Sequence, residues 1–167
     1  MNKKIVIITV CVSLAVILLT VGTVLLLKND YNKGKANKDG MTITVGTAEG
    51  KKGDIVKVPV TIKNNTGFAA MLLDFNFDSD CLEYTGYTDG DVIKSYNFNA
   101  TGNSLKFVCL ESEDTSKNGC LFEIEFKILT DKKQNCEIKL NIGENGVGNM
   151  NEEYVKVSAQ NGKVKIK

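Results

Sequence analysis

The chain has 167 residues, 21 lysines against 20 acidic residues, no histidine and no tryptophan. Residues 1–40 hold 6 Lys and 2 Asp, whereas residues 41–167 hold 15 Lys and 18 acidic residues, so the larger part of the chain is mildly acidic. This composition argues against nucleic-acid binding, which needs a basic face, and the lack of histidine leaves a Ser-His-Asp triad unsupported.

An uncharged, apolar run of 23 residues, 5–27, lies near the start of the chain. As a helix it reaches roughly 34 Å, enough to cross a bilayer core of about 30 Å. The run exceeds the roughly 7–15 residues of a signal-peptide core, and no A-x-A-like cleavage site follows it. We therefore expect a tail at residues 1–4 and a transmembrane signal-anchor helix at residues 5–27. A cleaved signal peptide is the alternative.

Residues 28–41 form a polar linker rich in Lys and Asn, and residues 42–167 have the length of one domain. The linker carries more lysines than the tail, which by charge counting alone favours a cytoplasmic domain. A short tail bearing Lys3 and Lys4 is instead typical of a signal anchor with an external domain. Charge therefore leaves the orientation open.

Beyond the linker, apolar residues alternate with period two, the pattern of half-buried strands, and no useful amphipathic helix is present. Ile43 and Val45 indicate a first short strand, and residues 56–62 a second. Pro59 lacks an N–H, so the second strand should lie at a sheet edge or present that position outward. In the next strand Met71, Leu73, Phe75 and Phe77 share one face, opposite Ala70, Leu72, Asp74 and Asn76.

The rest of the chain continues in short strands separated by Gly, Asn and Asp turns. One strand is expected to begin at residues 82–84 and to end at the turn of residues 89–91. Others are expected near residues 96–100, 104–110, 122–128, 138–142, 154–159 and 164–166, with a hairpin at Gly102-Asn103. Nine or ten such strands predict an all-β, antiparallel sandwich.

Four cysteines lie in the predicted domain: Cys81, Cys109, Cys120 and Cys136. Their even number allows two disulfides in an external protein, but no C-x-x-C pair is present and three of them lie in or beside apolar strands. We expect buried free thiols that act as small hydrophobes. Disulfide pairing is the alternative, and a zinc site would require all four thiols to converge.

Two acidic segments carry candidate chemical sites. Residues 114–119, with Glu125 at the twelfth position, imitate an EF-hand loop, but Ser116 and Lys117 occupy its third and fourth positions and no helix flanks it. The carboxylates of Glu111, Glu113 and Asp114 suggest a glycosidase pair, yet charges at a strand end are more often solvated or partner-facing. We therefore expect no metal site and no catalytic residue.

Five segments resemble, in order, those of a cohesin domain, the receptor module of cellulosome scaffolds. They are ITVGTAEGKKGD with VPVT at 43–61, FNFDSDCLEY at 75–84, DGD at 89–91, NGCLFEIEF at 118–126, and GNMN at 148–151 with the terminal NGKV at 161–164. The resemblance covers the whole predicted domain, about residues 42–167. The four cysteines align with positions that the family usually fills with apolar residues, which strengthens the free-thiol expectation.

The resemblance implies a nine-stranded jelly-roll sandwich that is not an enzyme and carries no cofactor. It implies capture of a dockerin-bearing protein, often a polysaccharide-degrading enzyme, with calcium bound only by the dockerin. Cohesins are carried outside the cell, so the expected protein is a single-pass cell-membrane protein with an extracellular domain. Polysaccharide would be reached indirectly, through the partner.

In the family, strands three, five, six and eight form the binding face. The positions carried over are Ala70, Leu72, Asp74 and Asn76 on strand three, Lys106, Val108, Leu110 and Ser112 on strand six, and Glu113 at its end. Strand five contributes from residues 96–101. Ala70 and Leu72 stand where well-known members carry Asn and Asp, which implies a more hydrophobic interface here.

A carbohydrate-binding module is the alternative, because such modules share the sandwich architecture. Sugar-binding faces usually present a coplanar row of aromatic rings. Tyr84, Tyr87, Tyr96 and Tyr154 show no regular spacing on one strand, and the chain has no Trp. Direct carbohydrate binding is therefore the second hypothesis.

Overall fold

The computed structural model describes residues 40–132 and 135–167, which form two β-sheets. The predicted tail, the apolar run at residues 5–27 and nearly all of the linker lie outside the described residues. Within residues 40–132 and 135–167 there is no helix long and apolar enough to cross a membrane.

Twelve strands lie in the described part of the chain. They are β1 (Thr42–Val45), β2 (Thr47–Gly50), β3 (Ile55–Lys63), β4 (Phe68–Phe77), β5 (Leu82–Asp89), β6 (Tyr96–Thr101), β7 (Ser104–Thr115), β8 (Gly119–Ile128), β9 (Asn135–Asn141), β10 (Val147–Gly148), β11 (Ser158–Gln160) and β12 (Gly162–Ile166). β5 agrees with the predicted strand that begins at Leu82 and ends at the turn of residues 89–91. The strand predicted at residues 154–159 is reduced to a bridge at Tyr154 and the short β11.

One sheet has the order β11-β1-β3-β8-β5, and the other has the order β2-β12-β9-β4-β7-β6 with β10 added beside β4. β1 and β2 are halves of one strand that changes sheet at Gly46, and β11 and β12 are halves of another that changes at Asn161. If each of these two pairs is counted as one strand and the two-residue β10 is left out, the twelve strands become the expected nine. Between β3 and β9 only the β6–β7 hairpin stays within one sheet, which agrees with a jelly roll.

The prediction of a wholly antiparallel sandwich is wrong at the two ends of the chain. The first strand, made of β1 and β2, and the last strand, made of β11 and β12, run side by side in the same direction. β1 therefore pairs in parallel with β11, and β2 pairs in parallel with β12. The other strand pairs are antiparallel.

Pro59 lies on an interior strand, not at a sheet edge, since β3 is placed between β1 and β8. Its carbonyl accepts the N–H of Gly46 at 2.7 Å, so its ring nitrogen faces the point where β1 ends. The oxygen of Gly46 accepts instead from the N–H of Lys163 at 3.2 Å. The missing donor of Pro59 therefore leaves no gap in the ladder.

The core lies between the sheets and follows the predicted alternation. β3 and β4 bury every second side chain, and Phe75, Phe107, Phe122 and Phe126 are fully buried. Phe75 meets Phe122 edge-on across the two sheets, with ring centroids 6.0 Å apart. Because each sheet buries one face in this way, its other face is left toward solvent.

The expectation of free thiols is wrong for two of the four cysteines. Cys81, just before β5, forms a disulfide with Cys136 on β9, with a Cα–Cα distance of 6.1 Å. The bond joins the two sheets across 55 positions of sequence, a separation that carries no local signal. Cys109 and Cys120 are unpaired. Burial raises the pKa of the Cys109 thiol to about 12, so it stays protonated and acts as a small hydrophobe.

Loss of the disulfide should destabilise the sandwich strongly. In the chain-entropy model, closing a loop of this length contributes about 4 kcal/mol to the free energy of unfolding. We expect Cys136→Ala to lower that free energy by roughly 3–4 kcal/mol in guanidinium titrations under oxidising conditions.

Cys109→Ala is the matched control, since it removes a buried thiol without breaking a cross-link. It should cost about 1 kcal/mol. An equal loss in the two variants, or full alkylation of Cys81 and Cys136 in the native protein before reduction, would show that the bond does not form.

Candidate functional site

The outward side of β9, β4, β7 and β6, here called the open face, arranges its side chains in rows by strand register. Asn99, Lys106, Asp74 and Asn141 form one row, and Thr101, Ser104, Asn76 and Lys139 form the next. These two rows are polar. Charged groups of both signs are interspersed in them, and Lys139 is also 3.8 Å from the carboxylate of Glu137.

Four apolar residues, here called the apolar centre, lie on the open face next to the row that contains Asp74 and Lys106. Leu72 lies opposite Val108, and Ala70 lies opposite Leu110. Side chains in such register are about 4.5–5.5 Å apart at Cβ, so the four form a continuous patch. The side chains of Leu72, Val108 and Leu110 are 57%, 37% and 67% exposed. Packing within the domain does not explain why three large apolar side chains are exposed together on this face.

The predicted site residues fall into two groups. Ala70, Leu72, Asp74, Asn76, Lys106, Val108 and Leu110 lie together on the regular part of the open face. Ser112 and Glu113 are exposed but lie beyond it, because the pairing of β7 with β4 jumps from Leu110 opposite Ala70 to Thr115 opposite Phe68. The extra residues form a bulge, so the alternation assumed for Ser112 does not extend this far.

Glu111, within this bulge, has a structural role. Its carboxylate accepts the N–H groups of Lys94 at 2.8 Å and Ser95 at 3.1 Å, which fixes the start of β6 beside β7. The Glu111 carboxylate is therefore engaged with the backbone of the segment that leads into β6.

The loop after β9 adds two exposed apolar residues that the sequence reasoning did not assign, Met150 and Tyr154, at 56% and 66% exposure. Gly148 pairs with Ala70, and the N–H of Met150 donates to the carboxylate of Asp114 at 2.9 Å, so the loop crosses the end of β4 toward β7. In the sequence, these two residues could have been noticed as large apolar side chains in or beside a segment rich in Gly and Asn.

The EF-hand-like segment is part of the loop framework. One carboxylate oxygen of Asp114 accepts from Met150, and the side-chain oxygen of Asn118 accepts the N–H of Asn65 at 2.9 Å. Across residues 40–132 and 135–167 no three Asp, Glu, Cys or His side chains are grouped so that they could hold a metal ion.

The outer face of the five-stranded sheet differs from the open face. There the Lys57 ammonium lies 3.4 Å from Glu125 and 3.9 Å from Glu123, and it donates to the Thr88 hydroxyl at 2.8 Å. These partly exposed charges satisfy one another and solvent, so this face is a solvated surface. Ile55, at 61% exposure, lies at its margin.

Comparison with known proteins supports the resemblance found in the sequence. The family model described as "Cohesin domain" matches residues 41–166. Cellulose-binding protein A of Clostridium cellulovorans is 40% identical over 93 residues, which cover 51% of this chain and 5% of that protein. The match therefore spans only a small part of that relative.

Two solved structures illustrate the similarity of fold. A non-cellulosomal cohesin from the archaeon Archaeoglobus fulgidus is 25% identical, with a TM-score of 0.68 over 77% of this chain and 91% of that one. The cohesin of a type I cohesin–dockerin complex from Clostridium thermocellum is 21% identical, with a TM-score of 0.67 over 77% of this chain and 99% of that one. With the family match extending over the entire sandwich, this chain belongs to the cohesin family.

Proposed function

We propose that this chain docks dockerin-bearing proteins on the open face of its sandwich, at the cell surface. The observation that carries the proposal is an exposed apolar centre bordered by polar rows, on one sheet of a cohesin-family domain. Protein interfaces typically combine an apolar, desolvated core with a polar rim.

The apolar centre suits a partner surface that is itself apolar at the point of contact. Burial of Leu72, Val108 and Leu110 supplies affinity at about 25 cal/mol per Å² of apolar surface removed from water. Because these side chains project from paired strands, little backbone freedom is lost on binding. Asp74, Asn76 and Lys106 border the centre and set the register of the partner.

The partner we propose is a dockerin carried by another protein, such as a polysaccharide-degrading enzyme in a cellulosome-type assembly. Its support is the family membership of the chain and the cohesin–dockerin complex among the similar structures. Calcium in the complex would belong to the dockerin. Polysaccharide would then be reached through the partner.

The proposed location is the outer surface of the cell membrane, with residues 5–27 as the anchor. The disulfide between Cys81 and Cys136 supports an external domain, because such bonds persist in oxidising compartments and are rare in the cytosol. It weighs against the cytoplasmic orientation that charge counting favours.

Direct binding of polysaccharide on the same face has less support. The outward positions of β4 and β7 in the two polar rows and the apolar centre carry no aromatic side chain. A flat sugar-binding surface would need such rings, so the open face suits a protein partner better.

The docking proposal predicts that a charge in the apolar centre abolishes capture without unfolding the domain. Leu72→Asp leaves a carboxylate unpaired and desolvated at the interface. We expect a loss of at least about 30-fold in affinity for a dockerin that the native chain captures, corresponding to roughly 2 kcal/mol or more. Surface plasmon resonance with and without EDTA measures both the loss and the calcium requirement.

Ile55→Asp is the matched control, because Ile55 is as exposed as Leu72 but lies on β3 of the other sheet. It should leave capture unchanged. Equal capture by native and Leu72→Asp chains would show that the open face is not the docking surface.

The proposed location predicts that the lysines of the sandwich react with a membrane-impermeant amine reagent on intact cells. Lys94 and Lys127 are exposed and should be labelled, which peptide mass spectrometry detects. A cytoplasmic protein of the same cells is the control. Labelling of both lysines only after lysis would place the domain inside.

A further inference from the structure

A cleft opens along the side of the sandwich where β5 ends one sheet and β6 ends the other. Its volume is about 380 Å³, and it is lined by Tyr87, Asp89, Gly90, Ile93, Lys94 and Tyr96. This volume falls within the range of about 300–1,000 Å³ that is usual for small-molecule sites. None of its lining residues belongs to the apolar centre or the polar rows of the open face.

Aromatic rings form one wall of the cleft and are held from behind by the core. The Tyr87 ring lies 4.6 Å from that of Phe98 and 5.6 Å from that of Tyr96, between centroids. Phe98 in turn packs edge-on against Phe122 at 4.8 Å. Tyr87 remains 42% exposed, so a ring fixed by its neighbours still presents surface to solvent.

One acidic and one basic side chain lie beside these rings. The Tyr96 hydroxyl donates to the carboxylate of Asp89, and Lys94 lines the same cleft. Burial, and then the bond to Asp89, raise the pKa of Tyr96, so its hydroxyl keeps its proton and the donation persists at ordinary pH. The orientation of the Asp89 carboxylate is therefore set before any ligand arrives.

The loop that carries Lys94 is also fixed. A Cβ on Gly90 would collide with the carbonyl oxygens of Cys120 and Leu121, so only glycine permits this close approach. The N–H of Asp91 donates to the oxygen of Cys120 at 2.9 Å, and Glu111 accepts from the N–H of Lys94. A cleft with fixed walls loses little entropy when it is filled.

We propose that this cleft binds a neutral saccharide unit, independently of docking on the open face. A pyranose ring has apolar C–H faces that pack on an aromatic ring and hydroxyl groups that both donate and accept hydrogen bonds. Tyr87 provides the ring surface, Asp89 an acceptor and Lys94 a donor. One carboxylate and one ammonium group together favour a ligand without net charge.

The tyrosines could not reveal this cleft in the sequence, because they are not spaced along one strand. Tyr87 belongs to β5 and Tyr96 to β6, and the two come together only because these strands end different sheets on the same side of the sandwich.

The test is an NMR titration of the ¹⁵N-labelled full chain, held in a detergent without a sugar head group. Cellotetraose, xylotetraose and mannotetraose are the probes, and glycine serves as a zwitterionic comparison. We expect at least one tetrasaccharide to shift the amides of residues 87–96 saturably. Tyr87→Ala should weaken that binding at least about tenfold, since ring contacts are lost.

Tyr154→Ala is the matched control, since Tyr154 is more exposed but lies outside the cleft, and it should bind as the native chain does. Lys94→Ala, which alters only an exposed side chain, should also weaken binding while the spectrum stays folded. The proposal fails if no tetrasaccharide shifts these amides, if glycine shifts them instead, or if Tyr87→Ala and Tyr154→Ala bind alike. Leu72→Asp should bind saccharide normally whatever its effect on docking.

Discussion

The close contact between Gly46 and Gly162 is the constraint on which the sandwich depends. A Cβ on Gly162 would collide with the Gly46 carbonyl, and one on Gly46 would lie 2.7 Å from Cγ of Pro59. At this contact the first strand and the last strand both leave one sheet and enter the other, so each of these two strands is part of both sheets. β12 thereby lies between β2 and β9, and β9 in turn lies beside β4. The position of the open face follows from this crossing.

Strand β7 connects the core to the open face. Its inward side chains Phe107 and Cys109 are buried, while Val108 and Leu110 alternate with them on the outside. Tight packing of Phe107 against Phe122, at 4.6 Å between centroids, therefore fixes the position of the apolar centre as well. The disulfide between Cys81 and Cys136 adds a covalent link between the sheets, so the open face rests on a framework with little freedom to move.

Most of the open face was predictable because a strand has only two sides. Once Met71 and Phe75 are assigned to the core, Leu72 and Asp74 must point outward, and the same holds for Val108 beside Phe107. What failed depends on residues far apart in sequence. The bulge after Leu110 interrupts alternation without a local marker, Pro59 needs the end of β1 to be acceptable on an interior strand, and Cys81 meets Cys136 only across the two sheets.

The chemistry of the apolar centre limits what it can discriminate. Ala70 and Leu72 require no hydrogen bond from a partner, and an apolar pocket distinguishes ligands that differ by one methylene by only about 1–3 kcal/mol. Under the docking proposal, discrimination between partners would therefore come from the polar rows, where a mismatched partner leaves a charge desolvated and unpaired. Asp74 and Lys106 carry opposite charges and lie opposite each other in register, so a well-matched partner would present a complementary group to each. On the proposed docking face, partner choice would thus be governed by the polar rows and affinity by the apolar centre.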